Sequence, residues 1–385
     1  MANLSWGIQL LGLPFILDSV MRIVLVWLRF LRSPGPAVPP GHPLEGGAIV
    51  LIAARDEEGT IGPTVRAVAA QLDEWPGSGL WVVADHCRDE TATEAAAAGA
   101  MVAERLDGEG GKGAVIEWWL ESHPEAWLDS SVIVILDADS RLLPGSLSHL
   151  RRAMANGADG AQAFVSPLAD SRSGRLAGWS EVLMQQLDDR ARGLCGWAVP
   201  LRGTGMALRC QLLAELSPRL HTQAEDLELD VLLTARGARI DFVPEAILYD
   251  PKPQRVSGVS RQRARWFMGQ IEVLRDYRRE IWRALTSPTR RSRLDNLFLL
   301  LPLFMRPKVA MIGLRILLLP VIPAVALCGL SLDLAYYLAG VRVVERPRQY
   351  LSDLLLVPVY VAIWGYGFAL ALLHRGRRTW LRAGR

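Results

Sequence analysis

The chain has 385 residues, 50% apolar and 22% charged, with a net charge of +3 and a mean hydropathy of +0.18. That size and balance exclude an intrinsically disordered chain, a collagen-like repeat and a disulfide-stapled miniprotein, and leave room for two or three structural units. The net charge is too small to indicate nucleic acid. Of the 43 basic residues only Lys112, Lys252 and Lys308 are lysines, and arginines crowd against the apolar ends.

The first element, Leu4 to Phe30, exceeds the roughly 20 residues that cross a hydrocarbon core of about 30 Å, and predicts a transmembrane helix over residues 1–31. Asp18 and Arg22 interrupt it at i,i+4 spacing, where they can pair with each other and lower the cost of insertion. Its basic residues follow the apolar stretch, unlike a secretory signal. An interfacial amphipathic helix is the other reading. Residues 32–45, with Pro34, Pro36, Pro39, Pro40 and Pro43, form a linker.

The charged middle alternates strand and helix. Ala48 to Ala53 is a continuous apolar run that predicts a strand buried on both faces; it ends in Arg55-Asp56-Glu57-Glu58-Gly59, and a helix follows from Thr60 to Leu72. Leu80 to Ala84 predicts a second strand ending at Asp85, with a helix over Thr91 to Ala98. Val132 to Leu136 predicts a third, ending at Asp137-Ala138-Asp139. This alternation implies an α/β fold with a mostly parallel sheet, whose ligands sit at the carboxyl ends of strands, where these acidic residues stand.

The acidic pair Asp137 and Asp139 suits a divalent cation shared with a diphosphate, because Mg²⁺ and Mn²⁺ take oxygen ligands; an acidic turn capping a helix would look the same. Asp85 can accept hydrogen bonds from a nucleobase or ribose, or simply cap a turn. Gly110-Gly111-Lys112-Gly113 joins backbone freedom to an ammonium that can meet phosphate or base, without the spacing of a P-loop. Arg202-Gly203-Thr204-Gly205-Met206 is a small-residue turn that lets backbone approach a sugar. Glu225-Asp226 opens an apolar-periodic helix, either as a pair favoured by the helix dipole or as a general base facing a hydroxyl. Gln262, Arg265 and Trp266 fall within one helical turn; a guanidinium there can neutralise a diphosphate and an indole can stack on a sugar, or the segment is a juxtamembrane helix.

The C-terminal third is apolar again. Asn296 to Met305 is too short to span and predicts an interfacial helix within 291–308. Val309 to Leu332 and Leu351 to Leu373 predict two transmembrane helices within 309–373, with Arg315 snorkelling and Asp333 to Tyr350 as the connection. A basic tail occupies 374–385. Arginines after the first run, before the second and after the third place the middle domain and the C-terminus in the cytoplasm, against a weaker outer cluster of Arg342, Arg346 and Arg348. Cys87, Cys195, Cys210 and Cys328 have no paired spacing and read as reduced thiols.

Taken in order, IAARDEE at 52–58, Asp85, GKG at 111–113, Asp137 and Asp139, RGTGM at 202–206, Glu225-Asp226 and the Q-x-x-R-W of 262–266 resemble the membrane-bound family-2 glycosyltransferases. These are inverting nucleotide-sugar enzymes that include the cellulose, hyaluronan and ceramide glucosyl transferases. The resemblance covers roughly residues 46 to 290, departing at Ala224, where related enzymes often carry threonine. It implies a GT-A fold and a glycosyltransferase domain over 46–290. By this resemblance Asp56 or Glu58, Asp85, Lys112, Asp137 and Arg265 hold a nucleotide-sugar donor, a uridine one, and Asp139 with Asp137 holds Mg²⁺ or Mn²⁺. Asp226, beside Glu225, is the base; Gln262, Trp266, Gly203 and Gly205 shape the acceptor end. The expected enzyme is a hexosyl- or N-acetylhexosaminyl-transferase of the cytoplasmic (inner) membrane, with a lipid or glycan acceptor and room for partners in a membrane complex. A processive polysaccharide synthase is the alternative; a nucleotidyltransferase and an inactive complex subunit are remoter ones.

Overall fold

The structure is a computed structural model and describes residues 16–32, 44, 46–108, 111–253, 256–286, 293–305 and 308–373. The linker between 33 and 43, Gly110 and the tail from 374 lie outside the described residues.

Helix α1 (Leu17–Leu31) precedes a sheet of eight strands: β1 (Ala48–Ala54), β2 (Gly79–Asp85), β3 (Met101–Arg105), β4 (Val132–Asp137), β5 (Arg141–Leu142), β6 (Gly160–Leu168), β7 (Met206–Arg209) and β8 (Ile240–Pro251). Their spatial order is β3-β2-β1-β4-β7-β6-β8-β5. The first half obeys the expectation. β1 lies parallel between β2 and β4, β3 parallel beyond β2, with helices α2 (Ile61–Ala69), α3 (Thr91–Ala97) and α4 (Lys112–Ser122) as crossovers. Alternate residues of β1 and β4 feed two cores. Ile49, Leu51, Ile133 and Ile135 pack with Trp119 and Leu229; Val50, Ile52, Val134 and Leu136 pack with Ile61, Val65 and Leu147. Burial on both faces is why these strands are runs of apolar residues without alternation.

The second half corrects the mostly parallel expectation to a mixed sheet. β7 pairs antiparallel with both β4 and β6, and β5 antiparallel with β8; only β6 and β8 are parallel. The alternation that enforces parallel pairing stops at β4. No helix separates β4 from β5, and a long helical excursion separates β6 from β7. After α5 (Pro124–Trp127) and α6 (Ser146–Ala155), that excursion comprises α7 (Arg172–Leu183), a π-helical turn Met184–Asp189 and α8 (Arg190–Leu194). Then come α9 (Cys210–Leu216), α10 (Glu225–Arg236), the 21-residue α11 (Val256–Asp276), α12 (Arg278–Thr286) and α13 (Arg293–Met305). Leu299 and Leu300 of α13 bury themselves in the sheet's core, and Asp295 Oδ2 accepts from the Ala198 N–H at 3.3 Å, so this helix belongs structurally to the central domain.

The apolar ends differ from expectation in two ways. The predicted span 309–332 is two helices, α14 (Lys308–Leu318) and α15 (Pro323–Ala339), broken around Pro320 and Pro323, and the predicted outer connection is largely helical. The predicted span 351–373 is bent by 64° between α16 (Pro347–Leu354) and α17 (Val357–Leu373). Among the described residues, Pro323–Arg342 is long and apolar enough to cross a membrane, and the bent pair Pro347–Leu354 with Val357–Gly367 passes the same test jointly.

The charges inside these helices also find other partners than expected. Asp18 pairs with Arg315 rather than with Arg22, and Arg22 reaches Asp188 at 2.6 Å. Arg315 does not snorkel: it is 1% exposed and bridges Asp18 and Asp333, the latter also accepting from Ser19 Oγ at 2.7 Å. Asp353 takes Arg175 Nε and Trp179 Nε1, each at 3.0 Å. The cause is that α1 packs against α15 and the π-turn, which draws its polar face inward and turns Leu17, Val20, Val24 and Trp27 outward. The four cysteines are free thiols.

At the head of β1 the backbone of Gly47 meets that of Gly77, where a Cβ would lie 2.1 Å from a carbonyl that cannot move aside. Gly47→Ala is therefore expected to cost on the order of 1–3 kcal/mol, read as a lowered Tm. Gly193→Ala in α8, with nothing within 4 Å of its Cβ, should stay within about 1 kcal/mol of the parent.

Candidate active site

The carboxyl ends of β1, β2 and β4 open on one edge of the sheet. β4 turns immediately after Asp137: the Ser140 N–H donates to the Asp137 carbonyl at 3.1 Å, and the Ser140 and Thr204 hydroxyls lie 2.8 Å apart. Thr204 Oγ1 also accepts from the Asp137 N–H at 3.0 Å, so the turn after β4 is seated on the Gly203-Thr204-Gly205 turn before β7. That second turn needs its glycines. Gly203 and Gly205 have φ of +79° and +66°, and a Cβ on Gly205 would stand 2.3 Å from Leu248 Cδ2.

Lys112, the first residue of α4, joins three of these segments. Its Nζ donates to Asp137 Oδ1 and, at 2.6 Å, to the Gly203 carbonyl, and it lies 4.0 Å from Glu225 Oε1. Burial opposes a charge on Lys112, but Asp137 and Glu225 outweigh it and hold the ammonium charged. Burial likewise would push Asp137 up, yet Lys112, with Arg265 and Lys252 farther off, holds it below the usual carboxylate range. Glu225 goes the other way. Burial pushes it up to about 7, with Asp226 and Asp137 adding repulsion and Lys112 opposing.

Glu225 and Asp226 open α10, where the helix dipole favours acidic groups; Asp226 Oδ1 accepts from the Leu227 N–H at 2.9 Å. Both carboxylates border Gly203, whose missing Cβ would lie 3.7 Å from Glu225 Oε1 and 4.0 Å from Asp226 Oδ2. α11 crosses beside this helix start. A Cβ on Gly269 would lie 2.6 Å from that of Ala224, so α11 rests directly on the residue before the acidic pair. Of the Q-x-x-R-W residues, Arg265 acts on the Asp137 carboxylate through its charge, and Trp266 is 38% exposed. Gln262 Oε1 is buried without a hydrogen-bond partner among the described residues.

The residues after β1 and β2 form a neighbouring group. Asp56 and His86 stand in left-handed backbone conformations, with φ of +52° and +53°. Asp56 Oδ1 accepts from the Arg88 N–H at 2.8 Å, while Glu58 accepts from the Glu90 N–H at 3.4 Å. Asp85 is 5% exposed; its Oδ1 takes Arg105 Nη1 and lies against His86 Nδ1, each at 2.7 Å. These contacts tie Asp56, Glu58 and Asp85 to the segment after β2 and to the end of β3. Asp56, Cys87 and Asp89 place ligand atoms within 4.8 Å of one another, but Asp56 and Asp89 already receive backbone N–H groups and lock the two turns together.

Sequence reasoning missed a second charged layer. Lys252 Nζ lies 2.5 Å from both Asp250 Oδ2 and Glu181 Oε2, and the charges of Lys252 and Asp250 act on Asp137. Burial raises the Asp250 pKa despite Lys252, with Glu181 adding to the rise. Its one sequence signal was the scarcity of lysine. Arg263, inside the Q-x-x-R-W motif, was also missed. It lies 4.0 Å over the Trp266 ring and 4.6 Å over Trp364 of α17, and donates to Tyr360 Oη at 3.1 Å.

A divalent cation fits this donor set. Asp137 keeps 44% of its side chain open to the cleft, and Asp139, two residues on, is half-buried. Two carboxylates completed by ligand oxygens suit Mg²⁺ or Mn²⁺, which commonly share their coordination shell with phosphates.

A sheet end of acidic groups joined by a buried lysine and flanked by an arginine-bearing helix can hold a divalent cation and an anionic ligand side by side. The family model described as glycosyl transferase family group 2 matches residues 132–371, and the chain belongs to that family and is a glycosyltransferase. The solved mannosyltransferase PcManGT from Pyrobaculum calidifontis, in complex with GDP-Man and Mn²⁺, is similar with TM-score 0.56 and 14% identity over 94% of this chain and 100% of that one, a likeness of fold. Glucosyl-3-phosphoglycerate synthase from Mycobacterium tuberculosis, solved with Mn²⁺, UDP and glucosyl-3-phosphoglycerate, is a looser match: TM-score 0.44, 18% identity, 60% of this chain and 79% of that one. No curated protein sequence matches the chain.

Glu225 sets a pH test. Its pKa rises from 4.5 to about 7 on folding, so the native state binds the proton more tightly. The stability this contributes is full below pH 4.5 and is lost as pH rises to about 7. The Tm of Glu225→Gln relative to the parent should climb by a few degrees across that window; parallel curves would contradict the assignment.

Proposed function

We propose that the chain is an inverting glycosyltransferase that moves one sugar from a nucleoside-diphosphate donor to a hydroxyl of a lipid-linked or membrane-proximal acceptor. The observation that carries this reading is the convergence of Lys112, Asp137, Glu225 and Asp226 on the Gly203 turn, with the Arg265 charge acting on Asp137. Asp226 takes the proton of the acceptor hydroxyl as its oxygen attacks the anomeric carbon, and the bond to the diphosphate breaks on the opposite side. Glu225 helps hold Lys112 rather than acting as the base. Lys112 and Arg265 offset charge on the departing diphosphate. Gln262 Oε1 meets a donor group of the acceptor, and Trp266 offers an indole face to its sugar or lipid. Asp56, Glu58 and Asp85 border the nucleoside. Mg²⁺ or Mn²⁺, held by Asp137 and Asp139, supplies Lewis-acid neutralisation of the diphosphate when bound.

The donor base is read as uridine; the fold relative bound to GDP-Man makes guanosine the first comparison. The membrane reading rests on Pro323–Arg342 and on outward apolar side chains such as Trp27, Leu317 and Leu355, with charged groups paired inside. The arginine distribution orients the catalytic domain to the cytoplasm.

Purified protein with Mn²⁺ and a panel of UDP- and GDP-sugars should release nucleoside diphosphate. Asp226→Asn should lower turnover by about 10²–10⁴-fold while leaving nucleotide binding intact, as expected for loss of a general base. Undiminished turnover would remove Asp226 from that role. Chelation should abolish release and added Mn²⁺ restore it. Product sizing should show single transfer; a long ladder would make the enzyme processive.

A further inference from the structure

Two consecutive carboxylates of the π-turn Met184–Asp189 serve different parts of the molecule. Asp188 receives Arg22 of α1 at 2.6 Å, where the guanidinium also lies 5.5 Å over the Tyr336 ring of α15. Asp189, buried, pairs with Arg202, the residue that opens the Gly203-Thr204-Gly205 turn. The π-turn is itself fastened to the sheet: Gln185 exchanges two 2.8 Å hydrogen bonds with the Val165 backbone. π-Helical turns inside longer helices are frequent at functional sites.

We propose that Asp189 is a positioning residue for the transferase site, and that the π-turn couples it to α1. The inference rests on the functional reading above. Its path is short. Arg202 is held on one side by Asp189 and on the other by its backbone N–H, which donates to Gln162 Oε1 at 3.0 Å. Gln162, fully buried on β6, donates to the Thr204 carbonyl at 2.9 Å. These contacts fix a turn whose two glycines would otherwise leave it soft, and the fixed turn offers the Gly203 carbonyl to Lys112 and Thr204 Oγ1 to the Asp137 N–H. Losing the Asp189 charge removes the direct ion-pair partner of Arg202 and leaves its guanidinium only the charges of Glu181 and Asp230, so the turn shifts and the lysine loses its second anchor.

The test is steady-state kinetics of the full-length protein. Asp189→Asn should raise the donor KM about tenfold, the scale of a lost charge-assisted hydrogen bond, with the acceptor KM unchanged. Unfolding of a fraction of the molecules would lower kcat alone and leave the donor KM where it was. Asp189→Glu, which keeps the carboxylate, should return the donor KM to within about threefold, and Asp188→Asn should move it in the same direction by less. A donor KM for Asp189→Asn within about twofold of the parent overturns the proposal. If the parent turns over no nucleotide sugar, the transferase reading fails separately, and the coupling is read from UDP or GDP affinity with Mn²⁺ by calorimetry. A tenfold weaker Kd in Asp189→Asn, about the scale of a lost charge-assisted hydrogen bond, supports it; an equal Kd, or no binding by the parent, overturns it.

Discussion

The site depends on one buried ammonium. Lys112 stands where three chain segments meet: the start of α4, the end of β4 and the glycine turn before β7. Without its charge, Asp137 and Glu225 would face each other and Asp226 across a partly dry cleft, and such a cluster of carboxylates would hold protons rather than anionic ligands. With it, the cluster divides its labour. Asp137, in direct contact, stays ionised at the mouth of the cleft, while Glu225, at 4.0 Å and more deeply buried, titrates near neutrality. The rest of the domain reads as scaffolding for that separation: a two-faced sheet fixes β4, and two turns without side chains let backbone come close to the lysine.

The apolar ends follow a related rule. Charges inside low-dielectric helices are tolerated when each is paired. Arg315 with Asp18 and Asp333, Arg22 with Asp188, and Arg175 with Asp353 tie α1, α14, α15 and α16 to one another and to the helical excursion between β6 and β7. The Trp266, Arg263 and Trp364 stack ties α11 to α17 in the same way. The helices of the apolar ends and the sheet domain are therefore joined by specific ion pairs and cation–π contacts as well as by apolar packing, an arrangement that fixes register.

Much of the central domain was legible in the sequence because its signals are local. An apolar run of five or six residues followed by an acidic turn needs no partner to be recognised as a buried parallel strand, and that logic located β1, β2 and β4; Lys112 and Glu225 were singled out by equally local signals, a glycine-flanked ammonium and an acidic helix start. What failed was non-local. Spacing allowed Asp18 and Arg22 to pair, but α1 offered each a better partner at great sequence distance. Hydropathy drew a straight span across 309–332, although Pro320 and Pro323 break it, and the antiparallel insertion of β7 has no signature in a four-residue strand. Lys252 was visible only as a rare residue type; its meaning needed Glu181 and Asp250, which the fold supplies.

The contact between Gly269 and Ala224 acts as a gauge for the cleft. α11 is held against α10 at a separation set by one methyl group and one hydrogen atom. The distance from Arg265 to the acidic helix start is thereby fixed by the smallest side chains available, leaving α11 no closer approach. The alanine at 224 and the glycine opposite it therefore belong to one narrow geometry, in which a side chain on residue 269 would force the two helices apart.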